Sequence, residues 1–173
     1  MPIQRLNHAV LFVRELAASV AFYQDVLGFR IVHEIPGQAA FLQAAASTND
    51  HDLGLFAIGT DAAKSRAGHG MVGLYHLAWE VDTLDELARL RQRLSDAQAL
   101  VGAADHGTTK ALYAKDPDGI EFEVSWLLPR DLITEAIRER GMTTTHLDLE
   151  GAIATYGRHT RGGVGVSTPA LTE

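Results

Sequence analysis

Residues 104–126 have the sequence Ala-Asp-His-Gly-Thr-Thr-Lys-Ala-Leu-Tyr-Ala-Lys-Asp-Pro-Asp-Gly-Ile-Glu-Phe-Glu-Val-Ser-Trp, which predicts two strands joined by one tight turn. The turn is Asp116-Pro117-Asp118-Gly119, in which proline presets φ and glycine accepts left-handed backbone. The strand after it alternates, with Ile120, Phe122, Val124 and Trp126 on one face and Glu121, Glu123 and Ser125 on the other. The stretch therefore predicts a sheet with an apolar face against a core and a face that carries carboxylates.

The composition favours one compact unit with a real core, because the chain has 173 residues and 46% hydrophobic content. Its net charge of -7 argues against nucleic acid or an anionic membrane as a partner, since both attract clustered Lys and Arg. The chain has no cysteine, so any metal must be held by His, Asp or Glu side chains.

The N-terminus, Met1-Pro2-Ile3-Gln4-Arg5, leads directly into a predicted strand without an apolar signal segment. Elsewhere the sequence has no apolar stretch of the length that crosses a bilayer. We therefore expect a cytoplasmic location with no membrane contact.

The first half of the chain predicts a strand, a helix and three further strands. Residues 3–13 are apolar and β-like. A helix ended by Gly28 is predicted from a stripe at helical spacing, formed by Leu16, Val20, Tyr23 and Leu27. The further strands are expected at residues 29–33, 40–43 and 53–58.

The same pattern returns after an exposed connection at residues 59–73. Residues 74–81 predict a strand, and Thr83 to Glu86 has the capping-box spacing of a helix N-terminus. The buried stripe of that helix is Leu84, Leu87, Leu90 and Leu94, and three strands follow it. Sliding the second half onto the first by 68 residues puts His76 on His8 and Glu123 on Leu55.

The repeat predicts an α+β fold of two tandem βαβββ modules, at residues 3–58 and 74–126. Each helix would cover one face of its sheet, and the uncovered faces would form a cup. The apolar residues of the strand at 74–81 occupy the odd positions, so His76 would face this cup.

Two histidines at equivalent positions of a repeat suggest a metal site, although a lone strand histidine is more often a hydrogen-bonded core residue. By symmetry, His8 would face His76 across the cup. Glu123 is the last-strand residue that could join them, whereas Leu55 cannot ligate. Two imidazoles, one carboxylate and open positions are the pattern associated with non-haem Fe(II) and oxygen chemistry.

The fold pattern resembles the vicinal oxygen chelate superfamily, which contains glyoxalase, fosfomycin-resistance protein and extradiol dioxygenase. The stretch from His106 to Glu123 is similar to the ring-cleavage signature of the extradiol branch. That signature begins with a His, which is followed after five to seven residues by an aliphatic residue and Tyr. Two residues later come an acidic or small residue and Pro, then any residue and Gly. The signature ends with a Glu that follows the Gly after two or three residues. It is satisfied by His106, Leu112-Tyr113, Asp116-Pro117, Gly119 and Glu123. The spacing allows Glu123 and excludes Glu121.

The resemblance implies roles for residues outside the ligand set. Residues 47–56 are similar to the segment that carries the family's non-ligating active-site histidine, here His51. His51 would act as acid and base, Tyr113 would assist with protons, and His106 would hydrogen-bond the substrate. His69, in the glycine-rich connection, is the alternative to His51.

The predicted function is cleavage of a catechol by O2 at Fe(II), or Mn(II), held by His8, His76 and Glu123. One alternative is a glyoxalase-like isomerase or epimerase, against which the lack of a fourth ligand at Leu55 argues. The other is a non-catalytic protein that sequesters a small aromatic, against which the intact ligand set argues.

The expected domain arrangement is a vicinal oxygen chelate domain at residues 1–130 and a helical extension with a tail at 131–173. Residues 129–141 predict one helix with an apolar side of Ile133, Ala136 and Ile137. The tail could pack over the outside of a sheet, contribute to a homo-oligomer, expected to be a dimer, or be partly disordered. The remaining histidines lack a motif and are expected at the surface: His33, His146 and His159.

Overall fold

The structure is a computed structural model that describes residues 2–3, 5–67 and 70–163. The first repeat consists of β1 (Ala9–Val13), α1 (Leu16–Asp25), β2 (Arg30–Ile35), β3 (Ala39–Gln43) and β4 (Leu53–Ala57). The second consists of β5 (His76–Glu80), α2 (Leu84–Asp96), β6 (Leu100–Asp105), β7 (Thr109–Lys115) and β8 (Glu121–Leu127). The predicted α+β class with two tandem βαβββ modules is confirmed.

The C-terminal extension begins with a 3-10 turn at Arg130–Leu132 and continues with α3 (Glu135–Arg140), β9 (Thr145–His146) and α4 (Leu149–Tyr156). The chain divides into two compact units. Unit 1 contains Met1–Met71 and Asp116–Ile120, and unit 2 contains Val72–Lys115 and Glu121–Glu173. In the described part of the chain, no helix combines the length and hydrophobicity that a membrane crossing requires.

Unit 1 is built on a sheet with the strand order β1-β4-β3-β2, in which β1 runs parallel to β4. Its two faces differ because side chains alternate along each strand. One face packs beneath α1, and the buried residues of this core include Leu11, Val13, Leu42, Leu53 and Leu55. The helix contributes three of the four residues of its predicted stripe, Leu16, Val20 and Tyr23, whereas Leu27 lies beyond its end and is only partly buried. Gly28 has the left-handed φ of 77° expected after the helix.

The turn after β7 belongs to unit 1 and is held by hydrogen bonds to Asp116. Asp116 Oδ1 accepts from the backbone N–H groups of Asp118 at 2.9 Å and Ile120 at 2.8 Å. The buried hydroxyl of Tyr23 donates to Asp116 Oδ2 at 3.2 Å. Gly119 has a φ of 81°, so the predicted turn with glycine in left-handed backbone is confirmed.

Unit 2 is built on a sheet with the strand order β5-β8-β7-β6-β9, in which β5 runs parallel to β8. The helix α2 begins where the sequence predicts, because Thr83 accepts a hydrogen bond from the backbone N–H of Glu86 at 3.2 Å. All four residues of its predicted stripe are buried: Leu84, Leu87, Leu90 and Leu94. The apolar face of β8 lies in the same core, with Phe122, Val124 and Trp126 almost fully buried.

The register of the strands corrects one position of the repeat. Val10 pairs with Gly54 in unit 1, and its equivalent Ala78 pairs with Glu123 in unit 2. The counterpart of Glu123 is therefore Gly54, and the predicted match to Leu55 is wrong. Leu55 is fully buried beneath α1, on the other face of the sheet. The fixed shift fails because the loops between the strands differ in length in the two repeats.

Two predicted elements are shorter than expected. The first strand begins at Ala9 and not at Ile3, because Ala9 pairs with Leu53, the residue at which β4 begins. Ile3 is 96% exposed, and the other described residues before Ala9 are exposed as well, so they do not join the core. The single helix predicted at residues 129–141 is also wrong, since the chain forms the 3-10 turn and then α3, with no residue of either buried.

The part of the tail that the structure describes lies within unit 2 and packs against α2. Leu147, Leu149 and Ala152 are buried, and α4 contacts α2. The indole N–H of Trp126 donates to the carbonyl of Thr160 at 3.1 Å. Residues 164–173 of the predicted tail lie outside the described residues.

We predict that Tyr23→Phe lowers the free energy of unfolding by about 1–2 kcal/mol at pH 7, because a buried carboxylate loses a donor. Burial raises the pKa of Asp116, so the folded state holds its proton to a higher pH than the unfolded state does. As the pH falls through this raised pKa, the carboxyl becomes neutral and accepts a weaker hydrogen bond. The decrease in unfolding free energy caused by Tyr23→Phe should therefore be smaller at lower pH. Urea unfolding of both proteins at several pH values measures it.

Tyr75→Phe is the matched control, because Tyr75 is 61% exposed and its hydroxyl is not part of a core. It should change the unfolding free energy by less than about 0.5 kcal/mol. Equal losses in the two variants would contradict a role for the Tyr23 hydrogen bond.

Candidate metal centre

His76 and Glu123 lie on one face of the unit 2 sheet because β5 and β8 pair in parallel. In this register His76 is opposite Glu121, and Glu123 is opposite Ala78. Alternation along the strands then directs His76, Glu121 and Glu123 to the same side, away from the buried face of Phe122. The Nε2 atom of His76 lies 3.4 Å from Oε2 of Glu123.

This pair fits a divalent cation. Two ligand atoms that each bind one cation at about 2.1 Å lie roughly 3 Å from each other. This distance is close to the 3.4 Å between Nε2 of His76 and Oε2 of Glu123. The side chains of His76 and Glu123 are 26% and 12% exposed, so both are largely shielded from water. The other ring nitrogen of His76, Nδ1, is buried and makes no hydrogen bond within the described residues. An imidazole and a carboxylate are a donor set suited to iron, manganese or zinc.

Glu121 is on the same face but nearer the turn, as the sequence predicts. It is the first residue of β8 and pairs with Lys115. Its carboxylate raises the pKa of the exposed Tyr75. The choice of Glu123 over Glu121 as the metal ligand stays a prediction.

Tyr113 and His106 form a hydrogen-bonded pair beside the carboxylate. Tyr113 pairs with Glu123 in the sheet, and its hydroxyl lies 2.9 Å from Nε2 of His106. Burial, followed by the negative charge of Glu123, raises the pKa of Tyr113 to about 12. The phenol therefore keeps its proton at neutral pH and can donate it in a hydrogen bond. The rings of His76 and Tyr113 are 5.9 Å apart between centroids.

The structure brings His8 and His51 together in unit 1. Their ring centroids are 4.4 Å apart, and Nδ1 of His8 lies 2.7 Å from Oδ1 of Asn7. The ring of Phe41 packs edge-on against His51 at 5.2 Å, and Nδ1 of His51 lies 3.2 Å from the exposed carboxylate of Asp50. His51 is 16% exposed, so its ring lies between neighbours and is not free in solvent.

The loop that carries His51 is fastened by Asp52. Its carboxylate accepts hydrogen bonds from the backbone N–H of Ala44 at 2.8 Å and from the hydroxyl of Ser47 at 2.7 Å. The amide of Asn49 donates to the same carboxylate and to the carbonyl of Asn7, each at 2.7 Å. Asn49 therefore ties the loop of His51 to the residue before His8.

The other sequence-predicted residues fall into two groups. His33, His146 and His159 are exposed, as expected for surface histidines. His69 lies outside the described residues.

Within residues 5–67 and 70–163, no three His, Asp or Glu side chains form a preassembled metal site. The ligand set of His8, His76 and Glu123 accordingly stays a prediction.

Sequence reasoning missed two neighbours of the predicted site. Phe41 packs on His51 and is the counterpart of Tyr113 in the first repeat, because it pairs with Gly54 as Tyr113 pairs with Glu123. The carbonyl of Thr143 lies 2.9 Å from Nδ1 of His106. The aromatic residue could have been found by aligning the repeats strand by strand. Nothing in the sequence around Thr143 indicates its contact.

Comparison with known proteins finds relatives of more than one activity. It is 30% identical to catechol-2,3-dioxygenase of Bacillus subtilis (strain 168) over 154 residues, which are 88% of this chain and 52% of that protein. It is 34% identical to biphenyl-2,3-diol 1,2-dioxygenase 3 of Rhodococcus globerulus over 119 residues, 66% of this chain and 59% of that protein. The chain thus spans between half and two thirds of the length of these two dioxygenases.

A third relative has a different activity. Lactoylglutathione lyase of Salmonella typhimurium is 28% identical over 127 residues, which are 69% of this chain and 90% of that protein. Among solved structures, the lactoylglutathione lyase of Agrobacterium tumefaciens has a TM-score of 0.54 and 26% identity, covering 72% of this chain and 95% of that chain. A glyoxylase/bleomycin resistance protein/dioxygenase domain from Frankia sp. EAN1pec has a TM-score of 0.61 and 21% identity, covering 72% and 92%.

The family model of the Glyoxalase/Bleomycin resistance protein/Dioxygenase superfamily matches residues 5–124, which include both repeats and the pair of His76 and Glu123. This match covers well over half of the chain and agrees with the two βαβββ modules of the fold. The chain therefore belongs to the glyoxalase, bleomycin resistance protein and dioxygenase superfamily.

Proposed function

We propose that this chain is a non-haem Fe(II)-dependent extradiol dioxygenase that opens the ring of a catechol-type aromatic with O2. The observation that carries the proposal is a group of four side chains on one sheet face. A candidate ligand pair, His76 and Glu123, stands beside a proton-bearing pair, Tyr113 and His106. The two dioxygenase relatives support the same class, since their names specify a catechol and a biphenyl-2,3-diol.

In this proposal His8, His76 and Glu123 hold Fe(II), with Mn(II) as the alternative metal. The ion supplies a Lewis acid that brings the two diol oxygens and O2 together. Two neutral imidazoles and one carboxylate leave room for both reactants. The partly shielded positions of His76 and Glu123 strengthen their attraction for a cation, because less water screens the charge.

His51 is proposed as the general acid and base. Its ring lies against the proposed ligand His8 and is oriented by Phe41 and Asp50. An imidazole can give and take a proton near neutral pH, as the breaking and making of oxygen bonds requires. The fastened loop would keep His51 beside the reactants during turnover.

Tyr113 and His106 are proposed to orient the diol and to move a proton at the ring. The raised pKa of Tyr113, about 12, keeps its hydroxyl protonated, so the phenol acts as a hydrogen-bond donor in the site. The hydroxyl of Tyr113 lies 2.9 Å from Nε2 of His106, which gives a proton a defined route between the two side chains. The aromatic ring of Tyr113 also offers a flat surface to a planar substrate.

A lyase or isomerase is the second candidate, because lactoylglutathione lyases are matched over nearly their whole length. Its support is weaker on the residues. The position in the first repeat that corresponds to Glu123 is Gly54, which has no side chain to offer as a fourth ligand. The third candidate, a non-catalytic small-aromatic binding or resistance protein, does not account for the pair of Tyr113 and His106.

The reaction itself is tested by anaerobic reconstitution with Fe(II), followed by a panel of catechols and O2. We expect O2 uptake and a yellow ring-opened product whose mass shows the addition of both oxygen atoms. Visible and mass spectra identify the bond that is cleaved. A diacid from cleavage between the hydroxyl-bearing carbons would contradict the proposal, and turnover of lactoylglutathione without O2 uptake would favour the lyase.

The ligand set predicts that Glu123→Gln weakens binding of Mn(II), an air-stable probe, by more than about 100-fold, beyond the 10- to 100-fold typical of outer-shell changes. Glu121→Gln is the matched control, because it removes a carboxylate from the same strand and the same face. It should stay within about fivefold of the wild type. Isothermal titration and metal analysis measure both, and equal loss in the two variants would reject Glu123 as the ligand.

The role of His51 predicts that His51→Phe lowers turnover by about 10²- to 10⁴-fold while metal content and catechol binding stay near wild type. A phenyl ring preserves the packing against Phe41 and removes the titratable nitrogens. Stopped-flow mixing of the anaerobic catechol complex with O2 isolates the steps after oxygen enters. The control is His69→Phe, and loss of turnover there with a wild-type rate in His51→Phe would transfer the role to His69.

A further inference from the structure

His106 is held by the C-terminal extension, which lies beyond the residues that the family model matches. The match to the superfamily ends at residue 124, whereas both contacts of the His106 Nδ1 atom come from the C-terminal extension. The carbonyl of Thr143 lies 2.9 Å from Nδ1, and the hydroxyl of Thr144 lies 3.2 Å from it. The strand β9 keeps these residues in place by pairing with the end of β6, Thr145 with Asp105 and His146 with Ala104.

We propose that residues 141–146, here called the clamp segment, are a positioning device that fixes the tautomer of His106. The clamp segment would keep the proton of the neutral imidazole on Nδ1 and leave Nε2 as an acceptor for the hydroxyl of Tyr113. The effect of this arrangement on catalysis rests on the proposed function. The tautomer of His106 does not, because it follows from contacts within the protein.

The chemistry of the contacts assigns the proton. A backbone carbonyl can only accept a hydrogen bond, so the contact between Nδ1 and Thr143 requires a hydrogen on Nδ1. A neutral imidazole carries a single N–H, which leaves Nε2 without hydrogen. The 2.9 Å contact between Nε2 and Tyr113 must then use the hydrogen of the phenol. The N–H at Nδ1 can then be shared by the carbonyl of Thr143 and the hydroxyl of Thr144, while the phenol hydrogen is directed at Nε2.

The tautomer decides where Tyr113 directs its only hydrogen. The carboxylate of Glu123 is the other acceptor beside the Tyr113 hydroxyl, because the two residues are directly paired in the sheet and their side chains lie on the same face. If His106 carried its proton on Nε2, that N–H would point at the phenol oxygen and Tyr113 would donate to Glu123. With the proton on Nδ1, Tyr113 donates to His106 and Glu123 keeps its lone pairs for a cation.

A buried cation stiffens the loop that follows His106. Lys110, which is 3% exposed, donates to Oδ1 of Asp105 at 2.7 Å and to the carbonyl of Gly107 at 2.8 Å. The backbone N–H of Gly107 donates to the same carboxylate at 2.8 Å. His106 lies between Asp105 and Gly107, so its backbone is fixed while the clamp segment fixes its ring.

The clamp segment depends on Gly141, which follows α3. Gly141 has a φ of 67° and a ψ of -160°, a backbone region that is open almost only to glycine. A side chain at this position would force the segment to shift from its contacts. Gly37 also has a positive φ, 69°, with open space around it and no contact to His106, which makes it a matched control.

The test is a nitrogen-15 NMR measurement of histidine tautomers on the metal-free protein, with the His106 signals assigned by their loss in His106→Gln. We expect a protonated Nδ1 and an unprotonated Nε2 at His106 in the wild type. Gly141→Ala should give a mixture of the two tautomers, while Gly37→Ala keeps the wild-type signals. A protonated Nε2 in the wild type, or unchanged signals in Gly141→Ala, would overturn the proposal.

A second pair of variants covers the case in which Gly141→Ala does not fold. Thr144→Val removes one acceptor with little change of shape and should speed solvent exchange of the Nδ1 proton by roughly 3- to 10-fold, whereas Thr144→Ser should exchange at the wild-type rate. Equal exchange rates in the valine and serine variants would reject a part for the clamp segment. Because both readouts use metal-free protein, a chain that cleaves no catechol but has the expected tautomer would refute only the proposed function.

Discussion

The parallel pairing of the first and last strands of each repeat is the constraint on which the candidate site depends. The pairing of β5 with β8 puts His76 beside Glu121 and Ala78 beside Glu123, although forty residues lie between the two strands. Because side chains alternate with a period of two, a slip by one residue would turn Glu123 into the core and Phe122 out of it. The burial of Phe122, Val124 and Trp126 therefore determines the direction of the carboxylate.

The two repeats share a backbone pattern but have diverged in chemistry. The positions of Tyr113 and Glu123 in the second repeat are occupied by Phe41 and Gly54 in the first. The first repeat thus offers imidazoles and an aromatic surface, and the second offers an imidazole, a carboxylate and a phenol. In the proposed function, few protein ligands and several proton-handling groups would suit a substrate that itself fills coordination positions.

The C-terminal extension brings a residue from beyond the family-model match into contact with one inside it. Its helix α4 packs on α2 and covers Trp126, which anchors the extension in the core. This anchoring lets β9 join the sheet beside β6 and bring the carbonyl of Thr143 to His106. The burial of Leu147 and Leu149, a few residues after Thr143, stabilises the extension and therefore the position of the Thr143 carbonyl beside the ring of His106.

The sequence by itself determined the two βαβββ modules, the stripe of α2, the turn at Asp116 and the face of His76, since each depends on local periodicity or turn chemistry. Only the tertiary structure decided that Gly54, and not Leu55, corresponds to Glu123, and that Thr143 holds His106. It alone decided that His51 lies on His8 and that the predicted helix at residues 129–141 is broken. These features follow from strand register and from hydrogen bonds between distant residues, which the spacing of side chains along the chain does not encode.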